Sequence, residues 1–135
     1  MIPYLACMLR TAAFYRLPPR LLPAIQAVEG GRVGTIHPNR DGSADLGPMQ
    51  INTRWLPALA AVTGLPPATV RALLLHDPCF NVAAAGAILR RDLALTRGRL
   101  MPAVGDYHSA TPALNRAYRA EVRAAARRLF GRHIP

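Results

Sequence analysis

The chain has 135 residues, 51% of them hydrophobic, and a net charge of +10 from 17 basic against 7 acidic side chains. That length and apolar content suit one domain with a buried core and argue against a disordered chain, while no apolar run approaches the ~18 residues that would span a membrane. Leu and Ala dominate and β-branched runs are few, so the expected fold is all-α, with at most a minor hairpin, as a single domain over residues 1–135.

The elements follow from helical periodicity and its breakers. A first helix is expected over about Leu5 to Tyr15, broken by Leu17-Pro18-Pro19. A second starts near Arg20 with Leu21, Leu22, Ile25 and Val28 on one face, and Pro23 fits there only in the first turn. Gly30-Gly31 stops it and leaves Glu29 in its last turn, where the helix dipole disfavours a negative charge. Such a placement raises a carboxyl pKa, the more so in apolar surroundings. An ordinary surface glutamate would read the same way.

Residues 31–46 are polar and aperiodic, with turn chemistry at His37-Pro38-Asn39-Arg40-Asp41-Gly42-Ser43, so either a short hairpin or an open loop fits. Gly47-Pro48 is expected to open a short helix holding Met49, Gln50 and Ile51. Thr53 to Thr63 reads as another helix, with Trp55, Leu56, Leu59 and Val62 turned inward. Pro66-Pro67-Ala68-Thr69 starts one ending near His76, and Asp77-Pro78 caps the next, whose Val82, Gly86, Leu89 and Leu93 recur at helical spacing. Gly86 in mid-helix costs about 1 kcal/mol against Ala, so it suggests close approach of a neighbouring helix. Arg97-Gly98 ends this helix; a short one follows near Met101 to Tyr107, then a turn at His108-Ser109-Ala110-Thr111-Pro112. The last helix runs from about Pro112 to Phe130, with Leu114, Tyr118, Val122, Ala125 and Leu129 inside and Arg116, Arg119, Arg123 and Arg127 outside.

The two cysteines, Cys7 and Cys79, lie 72 positions apart and form neither a close metal pair nor a C-x-x-C motif. A disulfide between them would close a long loop, stabilise by roughly 4 kcal/mol in the chain-entropy model and imply an oxidising compartment. Two unrelated buried thiols are the alternative. Met1 to Ala6 has neither the basic nor the apolar segment of a signal peptide, so either a leader has been removed or export takes another route. Every basic residue is Arg. That reflects either a GC-rich genome or attraction to a polyanion such as a cell-wall polymer, nucleic acid or membrane surface.

Glu29, one of two glutamates, stands upstream of Asp45-Leu46-Gly47-Pro48-Met49-Gln50-Ile51-Asn52. Together with Cys7, the Leu22-Pro23-Ala24-Ile25 approach, Cys79 with Asn81 and Gly86, and Tyr107-His108-Ser109 followed by Tyr118, this order resembles the lysozyme-like lytic transglycosylases. The likeness is strongest to the small ones that accompany conjugation, secretion and pilus machines, and it covers nearly the whole chain. The resemblance implies a lysozyme-like domain that cleaves peptidoglycan, with Glu29 as sole essential acid/base, a Cys7–Cys79 disulfide, no cofactor, and action as a monomer in the periplasm or after export. Met49, Gln50, Asn52, Tyr107, His108 and Tyr118 are the implied substrate-binding residues. From their side chains alone, Gln50 and Asn52 can offer amide donors and acceptors, Met49 reads as cleft or core, and Tyr118 reads as a core residue with a polar tip.

The same stretch is also similar to animal-type lysozyme, through Asp45 and the Thr53-Arg54-Trp55 that ends the run. That makes Asp45 a candidate second carboxylate, as in a muramidase or chitinase-like hydrolase. The alternative is that Asp45 holds its loop by accepting backbone N–H bonds. One departure from the transglycosylase pattern is Gly30, where the family usually has serine; its loss could loosen Glu29 and leave a catalytically weak wall-binding assembly protein.

The other site chemistries are weaker. His37, His76, His108 and His133 share no close ligand spacing, so no metal site is expected. Ser43 and Ser109 lack a Gly-x-Ser-x-Gly setting. The arginine stripe on the last helix could meet nucleic acid, but aromatics are 6% and no reader motif appears, so a solvated face or stem-peptide carboxylates are favoured.

Overall fold

The computed structural model describes residues 1–131, which places His133 outside the described residues. Seven α-helices are present among them: α1 Leu5–Tyr15, α2 Leu21–Glu29, α3 Leu56–Thr63, α4 Pro67–His76, α5 Pro78–Leu95, α6 Leu100–His108 and α7 Pro112–Phe130. A small antiparallel sheet, β1 Ile36–Pro38, β2 Ala44–Leu46 and β3 Ile51–Asn52, lies between α2 and α3 in the order β1-β2-β3. The fold is thus mostly α with a minor sheet, as the composition implies.

Proline and glycine set most of the ends. α3, α4, α5 and α7 each carry proline in their first two positions, where the missing N–H has no helical partner to lose. Asp77 caps α5 by accepting the Phe80 N–H at 3.0 Å. The long α5 forms the centre, packed by α1, α4 and α6, while α7 lies across α2 and α6. Met8, Leu22, Ile25, Leu46, Met49, Ile51, Leu74 and Leu89 are among the fully buried side chains where these elements meet. Gly86 lets α1 and α5 come close: a Cβ there would collide with Thr11 and Tyr15 of α1. Cys7 of α1 and Cys79 of α5 form a disulfide, with Cα atoms 5.1 Å apart, which ties these two helices at their N-terminal ends.

Of the two alternatives for residues 31–46 the hairpin is the one found, β1 and β2 pairing in the register Ile36 to Leu46 and His37 to Asp45. Three expectations need correction. Gly47-Pro48-Met49-Gln50 is a turn leading into β3, not a short helix. Gln50 takes a left-handed φ of 53°, and tertiary partners capture both backbone groups of Met49. Thr53 to Thr63 divides into a 3-10 turn, Thr53–Trp55, and α3, and Val62 points to solvent at 85% exposure. On α7, Leu114 and Leu129 are exposed, while Asn115 takes the inner position with Tyr118, Val122 and Ala125. The amide of Asn115 is tolerated there because it donates to Asp106 Oδ1 at 2.9 Å and to the Pro102 carbonyl at 3.2 Å on α6.

Candidate active site

Glu29 is the last residue of α2, and the chain turns at once through Gly30, whose N–H returns to the Gln26 carbonyl at 2.8 Å. Gly30 has φ 71°, the left-handed conformation that closes a helix and strains any residue with a Cβ. Glycine is therefore the residue that this backbone favours at position 30.

Opposite Glu29, the buried Tyr118 of α7 donates its hydroxyl to Glu29 Oε2 at 2.7 Å. Burial pushes the Glu29 pKa up to about 7; the Tyr118 hydrogen bond pulls it down, and the charges of Asp45 and Glu121 push it up. The Tyr118 hydroxyl itself is held protonated far above its usual range, first by burial and then by the Glu29 charge. It is a fixed donor. His108 stacks on the Tyr118 ring with centroids 4.9 Å apart and planes 9° apart, and Tyr107 stacks behind at 6.5 Å. The histidine and two tyrosines thus form a wall beside the carboxyl.

The sheet supplies the facing wall. Asp45 of β2 lies across from Asn52 of β3, whose Nδ2 donates to Asp45 Oδ1 at 3.0 Å and to Ser43 Oγ at 2.9 Å. The His37 imidazole lies 3.9 Å from the other Asp45 oxygen. Asn52 Oδ1 in turn accepts the Arg54 N–H at 2.9 Å and starts the 3-10 turn that presents Trp55. Glu29, Asp45, Gln50, Asn52, Tyr107 and His108 line one open groove, together with Asn39, Asp41, Ser43, Ile51, Arg54, Trp55 and Ile88. A second depression, lined by Val28, Leu114, Ala117 and Glu121, continues from Glu29 on the other side. The carboxyl therefore sits partway along a trough, where a chain-like ligand could pass it.

Not every expected residue faces that groove. Met49 is fully buried beneath it: its N–H donates to Asn81 Oδ1 at 2.8 Å and its carbonyl accepts from the Tyr107 hydroxyl at 2.9 Å. Gln50 lines the groove, while its Nε2 donates back to the Gly47 carbonyl at 3.0 Å. Tyr118 backs the carboxyl and does not line the groove on the Asp45 side.

Sequence reading underrated the amides and the tryptophan. Asn81, fully buried on α5, donates to the carbonyls of Leu46 at 2.9 Å and Leu74 at 2.8 Å while holding the Met49 N–H, and so pins the turn after β2 to two helices. Trp55 borders the groove where an inward core position was expected. The available signal was an amide on the inner face of an apolar helix, which folding tolerates only when its hydrogen bonds are made.

No family model matches the chain. It is similar to the invasion protein IagB of Salmonella typhimurium strain SL1344, at 35% identity over 106 residues, covering 78% of this chain and 62% of that protein. The invasion protein IagB of Salmonella typhi is similar to the same extent. The chain thus spans less than two thirds of the length of these curated relatives.

Proposed function

We propose that the chain is a peptidoglycan lytic transglycosylase of the lysozyme-like type. The observation that carries this reading is Glu29: a carboxyl in an open trough, hydrogen-bonded to a tyrosine that stays protonated, with its pKa raised to about 7. At neutral pH such a group is protonated about as often as not, which suits a residue that must first give and then take a proton.

Protonated Glu29 donates to the oxygen joining N-acetylmuramic acid to N-acetylglucosamine, and the bond from C1 to that oxygen breaks. The resulting carboxylate accepts the proton of the muramyl C6 hydroxyl, whose oxygen bonds to C1. A 1,6-anhydromuramyl end forms, no water is consumed, and Glu29 regains its starting state. The groove amides of Asn52 and Gln50 and the stacked Tyr107 and His108 would hold the sugars. One essential carboxyl suffices in this reaction because the C6 hydroxyl is the nucleophile, and Asp45 can then serve its contact with Asn52.

A muramidase-type hydrolase remains the second reading, since Asp45 lines the same groove as Glu29. The Cys7–Cys79 disulfide supports action in the periplasm or outside the cell. The similarity to proteins named for invasion supports service to a secretion, conjugation or pilus machine that must pass the wall. Mass spectrometry of the products released from purified peptidoglycan tests the reaction. Muropeptides lighter by one water, lost with Glu29→Gln, are the expected result; reducing-end products would establish the hydrolase, and no product from the unaltered protein would overturn both.

A further inference from the structure

Trp55 is the sole tryptophan, and two guanidinium groups lie over its ring: Arg54 is 5.6 Å from the centroid and Arg91 is 5.3 Å away. Arg54 arrives with the 3-10 turn after β3, and Arg91 comes from the far end of α5. Arg54, Trp55 and His108 border both the Glu29 groove and a further depression that reaches Asp92 and Ser109, so the two are continuous.

The charges in this depression are unevenly matched. Arg91 donates to Asp92 Oδ1 at 3.2 Å, which anchors its guanidinium on a carboxylate only 5% exposed. Arg54 makes no ion pair among the described residues. Asp106 is occupied by the Asn115 amide. Asp92 Oδ2 is buried without a hydrogen-bond partner at the foot of the same depression, where an N–H from a ligand would satisfy it after a small side-chain shift.

We propose that this extension is a carboxylate-binding site, in which Arg54 and Arg91, both set over the Trp55 ring and both lining the depression, hold an acidic substituent of the glycan strand. The inference rests on the peptidoglycan reading and deepens it. An indole face attracts and orders guanidinium groups, and ordered guanidinium forks bind carboxylates through paired N–H bonds. A neutral glycan such as chitin has only amide and hydroxyl oxygens to offer these groups, which guanidinium binds more weakly than a carboxylate. A muramyl residue carries a lactyl group, and through it a peptide that has both carboxylates and N–H donors. The site would thereby select strands bearing acidic substituents and fix which sugar reaches Glu29. The overall charge of +10 favours the same class of ligand.

Trp55 emission reports on the site directly. Glu29→Gln protein, which binds without cutting, is titrated with peptide-bearing glycan fragments, the same fragments with carboxylates amidated, and fragments stripped of peptide. Expected is binding about tenfold tighter to native than to amidated fragments, from one lost charge-assisted contact. In the Arg54→Gln/Arg91→Gln protein that difference disappears, and in Arg54→Lys/Arg91→Lys it is partly restored. Removing the peptide frees the lactyl carboxylate, so stripped fragments that bind as tightly as peptide-bearing ones would show that the site takes either carboxylate; weaker binding would confine the contact to the peptide. Equal affinity for native and amidated fragments, or unchanged selectivity in the glutamine protein, would overturn the inference. Anhydro products from the unaltered protein in the presence of that result would leave the transglycosylase reading standing, so the two fail separately.

Discussion

The Tyr118 hydroxyl donates a 2.7 Å hydrogen bond to Glu29 Oε2, joining the end of α2 to the middle of α7 across 89 positions of sequence. This bond opposes the burial that raises the carboxyl pKa, so the pair together sets where Glu29 titrates. A general acid too weakly acidic would hold its proton and fail as the donor; one too strongly acidic would arrive ionised and be a poor base afterwards.

Tyr118→Phe removes the contact that favours the carboxylate. The Glu29 pKa is expected to rise above about 7, and the alkaline limb of the activity profile to move up with it. A shift of about half a unit to one unit is the scale for one hydrogen bond. Rates of product release measured from pH 5 to 9 check it; an unmoved limb would mean that Tyr118 serves packing alone.

Asp45→Asn tests the division of labour and acts in the opposite direction. Loss of the Asp45 charge removes a contribution that raises the Glu29 pKa, so the alkaline limb moves down. With a single essential carboxyl the rate at the optimum stays within about threefold, whereas loss of a nucleophile would cost roughly 10²–10⁴-fold. Initial rates on one peptidoglycan preparation decide between them.

Glu29→Gln is expected to abolish product release and to change stability with pH. Folded Glu29 keeps its proton up to about 7, while an unfolded glutamate releases it near 4.5. The native state therefore binds more protons inside that window, and stability falls as pH rises through it. The glutamine protein lacks this loss, so it should melt above the unaltered protein at pH 8 and together with it at pH 4. Thermal unfolding at the two values is the measurement.

Asn81→Ala would leave the Met49 N–H and the Leu46 and Leu74 carbonyls without their side-chain partner. At about 1 kcal/mol for each hydrogen bond, the loss is roughly 3 kcal/mol. For a domain of 135 residues that corresponds to a melting temperature lower by about 10 °C. Activity should fall further than stability requires, because the freed turn carries Gln50 and leads to Asn52. Kinetics measured well below the melting transition separate the two effects.

The helix ends were the most legible part of the sequence. Leu5–Tyr15, Pro67–His76 and Pro112–Phe130 fall where proline, glycine and apolar spacing place them. The candidate site was legible where a residue's position depends on a local element, as for Glu29 in the last turn ahead of Gly30. The Met49 turn was not, because its backbone groups are satisfied by Asn81 and Tyr107, which are distant in sequence. Leu114 and Leu129 misled for a related reason: spacing identifies a stripe but not how far the neighbouring helices extend along it, and α6 covers Asn115 instead.

By itself the sequence determined most of the helices, the two cysteines available for pairing, and a carboxyl at the end of an apolar helix. These are set by what single residues and their near neighbours permit: a fixed φ at proline, a left-handed turn at glycine, a repeat that buries one face. Only the tertiary structure decided that Tyr118 meets Glu29, that Asn81 holds the turn beneath the groove, and that Arg54 and Arg91 both lie over Trp55. Each of these depends on how α5 and α7 pack against the sheet and α2. Packing is a property of whole faces in contact, so the partners it brings together leave no mark in the local spacing of either residue.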